Sequence, residues 1–191
     1  ANRGADHLTS AEFLSEVGWP DAIIERFDDL AKKIYGRSIM PEGADRLDPK
    51  FKPLMVVESE NFAAVADSLV VCKFSTHWPP ALYYPDIAKA LTYATGISFS
   101  EEDVRRIGER IYILERCYNL REGYSSRDDR LPERFLKEPA PAGPCKGHVV
   151  ELDEMLREYY RLRGYDENGY PSYEKLKSLD LLEAAKELGI T

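Results

Sequence analysis

The sequence predicts an all-α fold, an irregular multi-helix domain. Apolar residues recur at helical spacing through most of the chain, and no convincing pair of alternating apolar and polar segments is present. Glycine directly follows several of these periodic segments, as it does at the ends of helices. The 191 residues are 43% hydrophobic and 31% charged, which is enough for a packed core. We therefore expect residues 1–191 to form one helical domain.

The first half of the chain contains two strong helical patterns separated by a loop. Residues 21–35 carry an apolar stripe and are followed by Gly36, a plausible helix stop. Residues 37–53 are rich in proline, glycine and charge, and are predicted to be an inserted surface loop. Residues 58–72 are unusually apolar and predict a buried central helix. The stripe of the first helix comprises Ile23, Ile24, Phe27, Leu30, Ala31 and Ile34.

Helical patterns continue to the end of the chain. A short helix is predicted over 85–95, ended by Gly96, and Ser100 is a strong N-cap for a long helix that reaches about residue 122. Four prolines in 132–144 predict an extended connector. Helices follow at 152–163, 173–179 and 181–188. The inner stripe of the long helix is predicted to be Val104, Ile107, Ile111, Leu114 and Tyr118.

Charge and cysteine content exclude several classes of protein. With 26 basic and 34 acidic residues the net charge is −8, so a nucleic-acid surface is not expected. No apolar run reaches the ~20 residues that span a bilayer, so a membrane protein is not expected either. The three cysteines, Cys72, Cys117 and Cys145, are too widely spaced for a zinc site or a disulfide framework. They are typical of reduced thiols in a cytoplasmic protein.

Two candidate sites stand out. Asp67 is an ionisable group in the apolar helix, five residues before Cys72, and on an unbroken helix the two would lie about 140° apart. They can serve one ligand only if the helix loosens between them; otherwise Asp67 is a carboxylate at a helix edge. We expect the helix to be buried from residue 58 to about residue 69, and to end or loosen before Cys72. His7, in the segment from Arg3 to His7, is either a surface residue or a proton donor and acceptor in a cleft.

A third feature is the density of mixed charge in the segments ERCYNLREG, residues 115–123, and RDDRLPER, residues 127–134. Paired charges of this kind favour a structural ion-pair network. The same two segments resemble the signature of the tungstopterin aldehyde:ferredoxin oxidoreductase family. So do KGHVV at 146–150, LDEML at 152–156 and YYRLRGYDENGYP at 159–171. The resemblance runs from His7 to about residue 188 and identifies the C-terminal helical domain of such an enzyme.

The resemblance implies cofactors and residue roles. Enzymes of the family hold tungsten, or molybdenum in a variant, between two pterin dithiolenes beside a [4Fe–4S] cluster. Asp67 and Cys72 match the pterin aspartate and the fourth cluster cysteine of the pattern Asp-x-x-Gly-Leu-Cys, with Ser68 and Val71 as further cofactor-binding positions. Val70 and Val71 stand where the family has Gly-Leu. His7 matches the active-site histidine, and the other cluster cysteines belong to preceding domains.

The implied function is oxidation of aldehydes to carboxylates, with electrons passing through the cluster to ferredoxin. The isolated chain is expected to retain neither cofactor and to be inactive. Its partners are expected to be the preceding domains of the same enzyme and ferredoxin, and a homo-oligomer is possible. Two alternatives stay open: a domain of a tungsten-dependent aromatic-acyl-CoA reductase, and a helical interaction module without a cofactor.

Overall fold

The computed structural model describes residues 21–39, 42–45, 47–72, 75–76 and 82–191, without the side chains of residues 21–27 and 44. Within these ranges the chain is all-α, as predicted, and contains no β-strand. One 3₁₀ turn, Glu42–Ala44, lies between the first two helices. The helices are α1 Asp21–Tyr35, α2 Lys52–Ser68, α3 Tyr84–Thr95, α4 Glu101–Arg121, α5 Glu133–Lys137, α6 Leu152–Arg163, α7 Tyr173–Ser178 and α8 Leu182–Glu187.

The described chain divides into two compact units, and the division falls inside α2, between Val57 and Glu58. The described part of the first unit lies within 58–124 and 170–191, and that of the second within 21–57 and 125–169. The core of the first unit joins α2, α3 and the start of α4, through Phe62, Val65, Tyr84, Ile87, Ala88 and Val104. The core of the second unit is built from Ala31, Ile39, Phe51, Leu54 and Met55.

The start of α4 confirms the cap predicted from sequence. The Ser100 hydroxyl accepts a hydrogen bond from the Asp103 backbone N–H at 3.1 Å, and the Asp103 carboxylate accepts one from the Ser100 N–H at 2.8 Å. These reciprocal bonds satisfy two backbone donors that the helix leaves unpaired. The hydrogen bonds from Ser100 hold the pKa of Asp103 below its usual value.

The predicted inner stripe of α4 is wrong in part. Val104 is buried, but Leu114 and Tyr118 are exposed, and the buried face is shifted to Gly108, Tyr112, Ile113, Arg116, Cys117 and Leu120. The reason is the absence of a side chain at Gly108, which lets α2 approach the backbone of α4 on that side. Packing against a distant helix, not hydrophobicity alone, selects the inner face.

Two connecting segments also differ from their predictions. The segment 132–144 was predicted to be extended, but its first part forms the short helix Glu133–Lys137. The loop predicted over 37–53 contains the 3₁₀ turn Glu42–Ala44, and helix α2 begins inside it at Lys52. Proline fits both starts, because Pro132 precedes α5 and Pro53 occupies the first turn of α2, where a missing N–H has little consequence.

Asp28 joins the end of α1 to the loop that follows it in the second unit. Its Oδ1 atom accepts hydrogen bonds from the Ser38 hydroxyl and the Ile39 backbone N–H, both at 2.7 Å. Its other oxygen lies 2.9 Å from the Lys32 ammonium. These bonds, that of Lys32 first, lower the pKa of Asp28 to about 2.

Candidate functional site

The C-terminal end of α2 brings together the features that the sequence singled out. Residues 58–66 are buried, and exposure begins abruptly at Asp67. The regular helix ends at Ser68, four residues before Cys72. The prediction that the helix ends before Cys72 is therefore confirmed, and the 140° separation expected on an unbroken helix does not apply.

The end of α2 is a Schellman motif. The Val71 N–H donates to the Ala66 carbonyl at 3.0 Å, and the Val70 N–H donates to the Asp67 carbonyl at 3.1 Å. This pair of bonds requires a left-handed residue at the position after the helix, which is usually glycine. Val70 occupies that position with φ 57°. The chain therefore reverses direction between Asp67 and Cys72.

Val70 is an unusual residue for this conformation. The left-handed region costs a residue with a Cβ about 1–2 kcal/mol, and a β-branched residue there is an outlier. Its side chain is also 91% exposed, so packing within the chain does not offset that cost. The family pattern named above has glycine here, which adopts positive φ without strain.

The structure corrects the environment predicted for Asp67. The residue was expected to be a carboxylate inside an apolar helix, and the burial was expected to continue to about residue 69. Instead Asp67 and Ser68 are exposed in the last turn, and Leu69 is 37% exposed. The apolar run therefore packs only as far as Ala66, and the Asp67 carboxylate lies in the exposed last turn of the helix, where it is open to either of the two interpretations.

Cys72 lies just beyond the reversal and opens a second turn. It is exposed and not part of a disulfide. Its carbonyl accepts hydrogen bonds from the Ser75 N–H at 3.0 Å and from the Ser75 hydroxyl at 2.6 Å. These bonds hold the backbone of Cys72, while its thiol faces outward from the described chain.

The two other predicted cofactor-binding residues lie on either side of Val70. The Ser68 hydroxyl donates to the Ala64 carbonyl at 2.9 Å, so its proton is used within the helix. Val71 is half-buried, and its N–H belongs to the Schellman motif. The catalytic candidate His7 lies outside the described residues, so its position relative to Asp67 and Cys72 stays a prediction.

Two buried carboxylates in α2 were missed by the sequence analysis. Glu58 pairs with the Arg105 guanidinium, which also stacks 4.2 Å above the ring of Tyr84. Glu60 is fully buried and accepts a hydrogen bond from the Tyr112 hydroxyl at 2.7 Å. The available signal was the seven-residue spacing of Arg105 and Tyr112, which places both on one face of α4. These pairs hold α2 against α4.

The remaining cysteines differ from Cys72. Cys117 is buried in α4, and its burial raises the pKa of the thiol to about 11, which disfavours the thiolate needed to bind iron. Cys145 is exposed and lines a cavity of about 670 Å³ in the second unit, together with His148 and the side chains of Phe135 and Met155. Among the described site residues, Asp67, Ser68, Val71 and Cys72 do not line that cavity.

Among the residues that the structure describes, no group of three or more His, Cys, Asp or Glu side chains could hold a metal ion. In the same ranges, no helix is both long and apolar enough to cross a membrane. Cys72 could thus supply one ligand to a metal centre whose other ligands lie elsewhere. An exposed thiol and an exposed carboxylate near the end of one helix suit groups held jointly with another part of a protein. A thiolate is a suitable ligand for a [4Fe–4S] cluster, and a carboxylate is a suitable acceptor for the N–H groups of a pterin.

Comparison with known proteins identifies the family of the chain. A family model described as aldehyde ferredoxin oxidoreductase, domains 2 and 3, matches residues 1–181. The chain belongs to the aldehyde ferredoxin oxidoreductase family. It is 42% identical over 155 residues to a tungsten-containing aldehyde ferredoxin oxidoreductase of Pyrococcus furiosus, and 43% identical to that of Pyrococcus horikoshii. Each match covers 81% of the chain and 25% of the relative.

Two further comparisons concern a more distant relative and a solved structure. The chain is 31% identical over 173 residues to the WOR-like subunit of an aliphatic sulfonate oxidoreductase of P. furiosus, covering 84% of the chain and 26% of the relative. A solved structure of the BamBC active-site complex of benzoyl coenzyme A reductase superposes with a TM-score of 0.61 at 21% identity. That match covers 78% of this chain and 21% of the other, and it shows the fold alone. The chain spans about a quarter of the length of its curated relatives.

Proposed function

We propose that this chain is the C-terminal helical domain of a tungsten-containing enzyme that oxidises aldehydes to carboxylates. The observation that carries the proposal is the reversal at the end of α2, which exposes Asp67 and Cys72 from one helix end. The relatives at 42–43% identity, named as tungsten-containing aldehyde ferredoxin oxidoreductases, support this reaction. The same identities favour it over an aromatic-acyl-CoA reductase, for which the likeness is one of fold.

In this proposal the residues of α2 hold two cofactors together with the preceding domains. The Asp67 carboxylate accepts hydrogen bonds from N–H groups of the pterin, beside Ser68 and Val71. The Cys72 thiolate is one of four ligands of a [4Fe–4S] cluster. The tungsten or molybdenum pterin, when bound, supplies the two-electron redox chemistry. The role of the described residues is to bind and orient these groups.

Proton transfer is assigned to His7. Conversion of an aldehyde and water into a carboxylic acid releases two protons and two electrons. The imidazole accepts or donates protons near neutral pH. The cluster that Cys72 would help to hold would supply one-electron transfer to ferredoxin, which we propose as the partner of a cytoplasmic enzyme. Homo-oligomerisation is compatible with this scheme.

The test of the cluster assignment replaces Cys72, Cys117 and Cys145 by serine, one at a time, in the full-length enzyme, and measures iron content and aldehyde-dependent dye reduction. Cys117→Ser is expected to retain the cluster, because that thiol is buried. Cys72→Ser is expected to lose the cluster and the activity. Cys145→Ser is the matched control, because its thiol is also exposed, and it is expected to retain both. Full iron in the Cys72→Ser enzyme would contradict the assignment.

A second test addresses the catalytic residue and the need for other domains. His7→Ala in the full-length enzyme is expected to lower turnover by about 10²–10⁴ with normal metal content. The isolated chain, incubated anaerobically with iron and sulfide, is expected to retain no stoichiometric cluster and to oxidise no aldehyde. A chain that does either would support a self-sufficient site, and unchanged turnover in His7→Ala would remove His7 from the mechanism. A full-length protein that holds neither cofactor would favour the interaction module.

A further inference from the structure

Val70 combines two properties that are unfavourable in an isolated chain. Its backbone adopts φ 57°, a conformation that glycine or asparagine would adopt more easily. Its isopropyl group is 91% exposed to solvent. A strained residue at a prospective functional site is grounds for a hypothesis about what the residue contacts.

The position of Val70 restricts what that contact is. Two residues of extended chain span at most about 7 Å, so the backbone of Val70 stays within that distance of the backbone of Cys72. The N–H groups of Val70 and Val71 are bonded to the Asp67 and Ala66 carbonyls, which holds the reversal in place. A group bound to the Cys72 thiolate is therefore within reach of the exposed valine.

We propose that the Val70 side chain is an apolar cover for the iron–sulfur cluster, keeping water from the side held by Cys72. This inference rests on the proposed function, because it requires Cys72 as a cluster ligand. Val70 acts as a positioning and shielding residue, not as a ligand. Binding of the cluster against the isopropyl group buries apolar surface that the chain alone leaves in water.

The cover has a consequence for the reduction potential of the cluster. Reduction adds negative charge to a centre already ligated by thiolates. An apolar surrounding disfavours the more highly charged state, and water favours it. Removing the cover should therefore shift the midpoint potential of the cluster to a more positive value, with the four ligands unchanged.

Three variants of the full-length enzyme separate the side chain from the backbone. Val70→Thr keeps the size, the β-branch and the strain, but replaces a methyl group by a hydroxyl. Val70→Gly removes the side chain and relieves the positive φ. Val70→Ile keeps both the strain and the apolar cover, and serves as the control. Each purified enzyme is measured for iron content and for midpoint potential by a redox titration followed by electron paramagnetic resonance.

The expected result is full iron in all three variants, a positive shift of the potential in Val70→Gly and Val70→Thr, and no shift in Val70→Ile. Midpoint potentials equal to that of the wild type in Val70→Gly and Val70→Thr would overturn the proposal. Loss of iron from Val70→Gly alone would also overturn the proposal. It would mean that cluster binding depends on the backbone conformation at residue 70 and not on an apolar cover. Cys72→Ser, measured in parallel, identifies a failure of the proposed function itself. A normal iron content in that variant would show that Cys72 is not a cluster ligand, and the proposed role of Val70 would then fail as well.

Discussion

Gly108 in α4 and Asn61 in α2 lie so close that a Cβ atom built on the glycine would be 2.2 Å from the Asn61 carbonyl oxygen. The same atom would be 2.9 Å from Cγ2 of Val65. A helix backbone cannot yield locally as the end of a flexible side chain can. Glycine at this position is therefore required by the packing of the two helices, not by its conformational freedom.

Gly108→Ala is expected to destabilise the first unit by about 2 kcal/mol, because overpacking of this kind typically costs 1–3 kcal/mol despite the better helix propensity of alanine. The measurement is the free energy of unfolding from denaturant titration. Gly43→Ala is the control, because its new Cβ would meet only the Ile39 side chain, at 3.1 Å. Equal losses of unfolding free energy in Gly108→Ala and Gly43→Ala would contradict the proposed role of the helix contact.

The Glu58–Arg105 pair should contribute more to stability than the neighbouring Glu101–Arg105 pair. The Glu58 side chain is 5% exposed and that of Glu101 is 48% exposed. In Glu58→Gln the Arg105 guanidinium above Tyr84 keeps only the exposed Glu101 as a partner, and the free energy of unfolding should fall by about 3 kcal/mol. In Glu101→Gln it should fall by less than about 1 kcal/mol. Thermal unfolding of both variants tests this order. A larger loss of stability in Glu101→Gln than in Glu58→Gln would contradict it.

Asp28 should make stability depend on acid pH. Its pKa in the folded state is about 2, below the ordinary value of 3.8. The contribution of the Asp28 carboxylate to the free energy of unfolding is therefore complete above about pH 4 and is lost as the pH falls toward 2. The reason is that, in this pH range, the unfolded chain binds the proton more readily than the folded chain does. Asp28→Asn should cost about 2 kcal/mol near neutral pH, since it removes charge-assisted bonds.

The measurement is the difference in unfolding free energy between wild type and Asp28→Asn, followed from pH 6 downward. That difference should shrink below pH 4. Asp29→Asn is the control, because the Asp29 side chain is 78% exposed and pairs with Lys32 at 3.4 Å. It should have little effect at any pH, and a constant difference for Asp28→Asn would exclude the proposed ionisation.

The three thiols should differ in their reaction with iodoacetamide. In the folded chain Cys72 and Cys145 are exposed and should be alkylated, whereas Cys117 is buried, has a pKa of about 11, and should resist. Mass spectrometry of tryptic peptides distinguishes the three sites. Denatured protein should be alkylated at all of them, which controls for intrinsic reactivity. Modification of Cys117 at the rate of Cys145 would mean that α4 opens readily.

Local patterns were enough to predict most helices and the existence of the candidate site. Ser100 was predicted as the N-cap of α4, and Gly36 and Gly96 follow the helices that they were predicted to end. These signals act over a single turn, so the sequence near each helix end contains them. The match of Asp67 and Cys72 to a family pattern likewise needed only residue order and spacing.

Tertiary structure alone decided which groups are buried. Asp67 was expected inside an apolar helix but is exposed, whereas Glu58 and Glu60 are buried because Arg105 and Tyr112 lie opposite them. The inner face of α4 likewise depends on the approach of α2 at Gly108. The sequence by itself determined the helices and the family, because caps, periodicity and motif spacing are local. Burial depends on partners distant in the chain, and only folding brings those together.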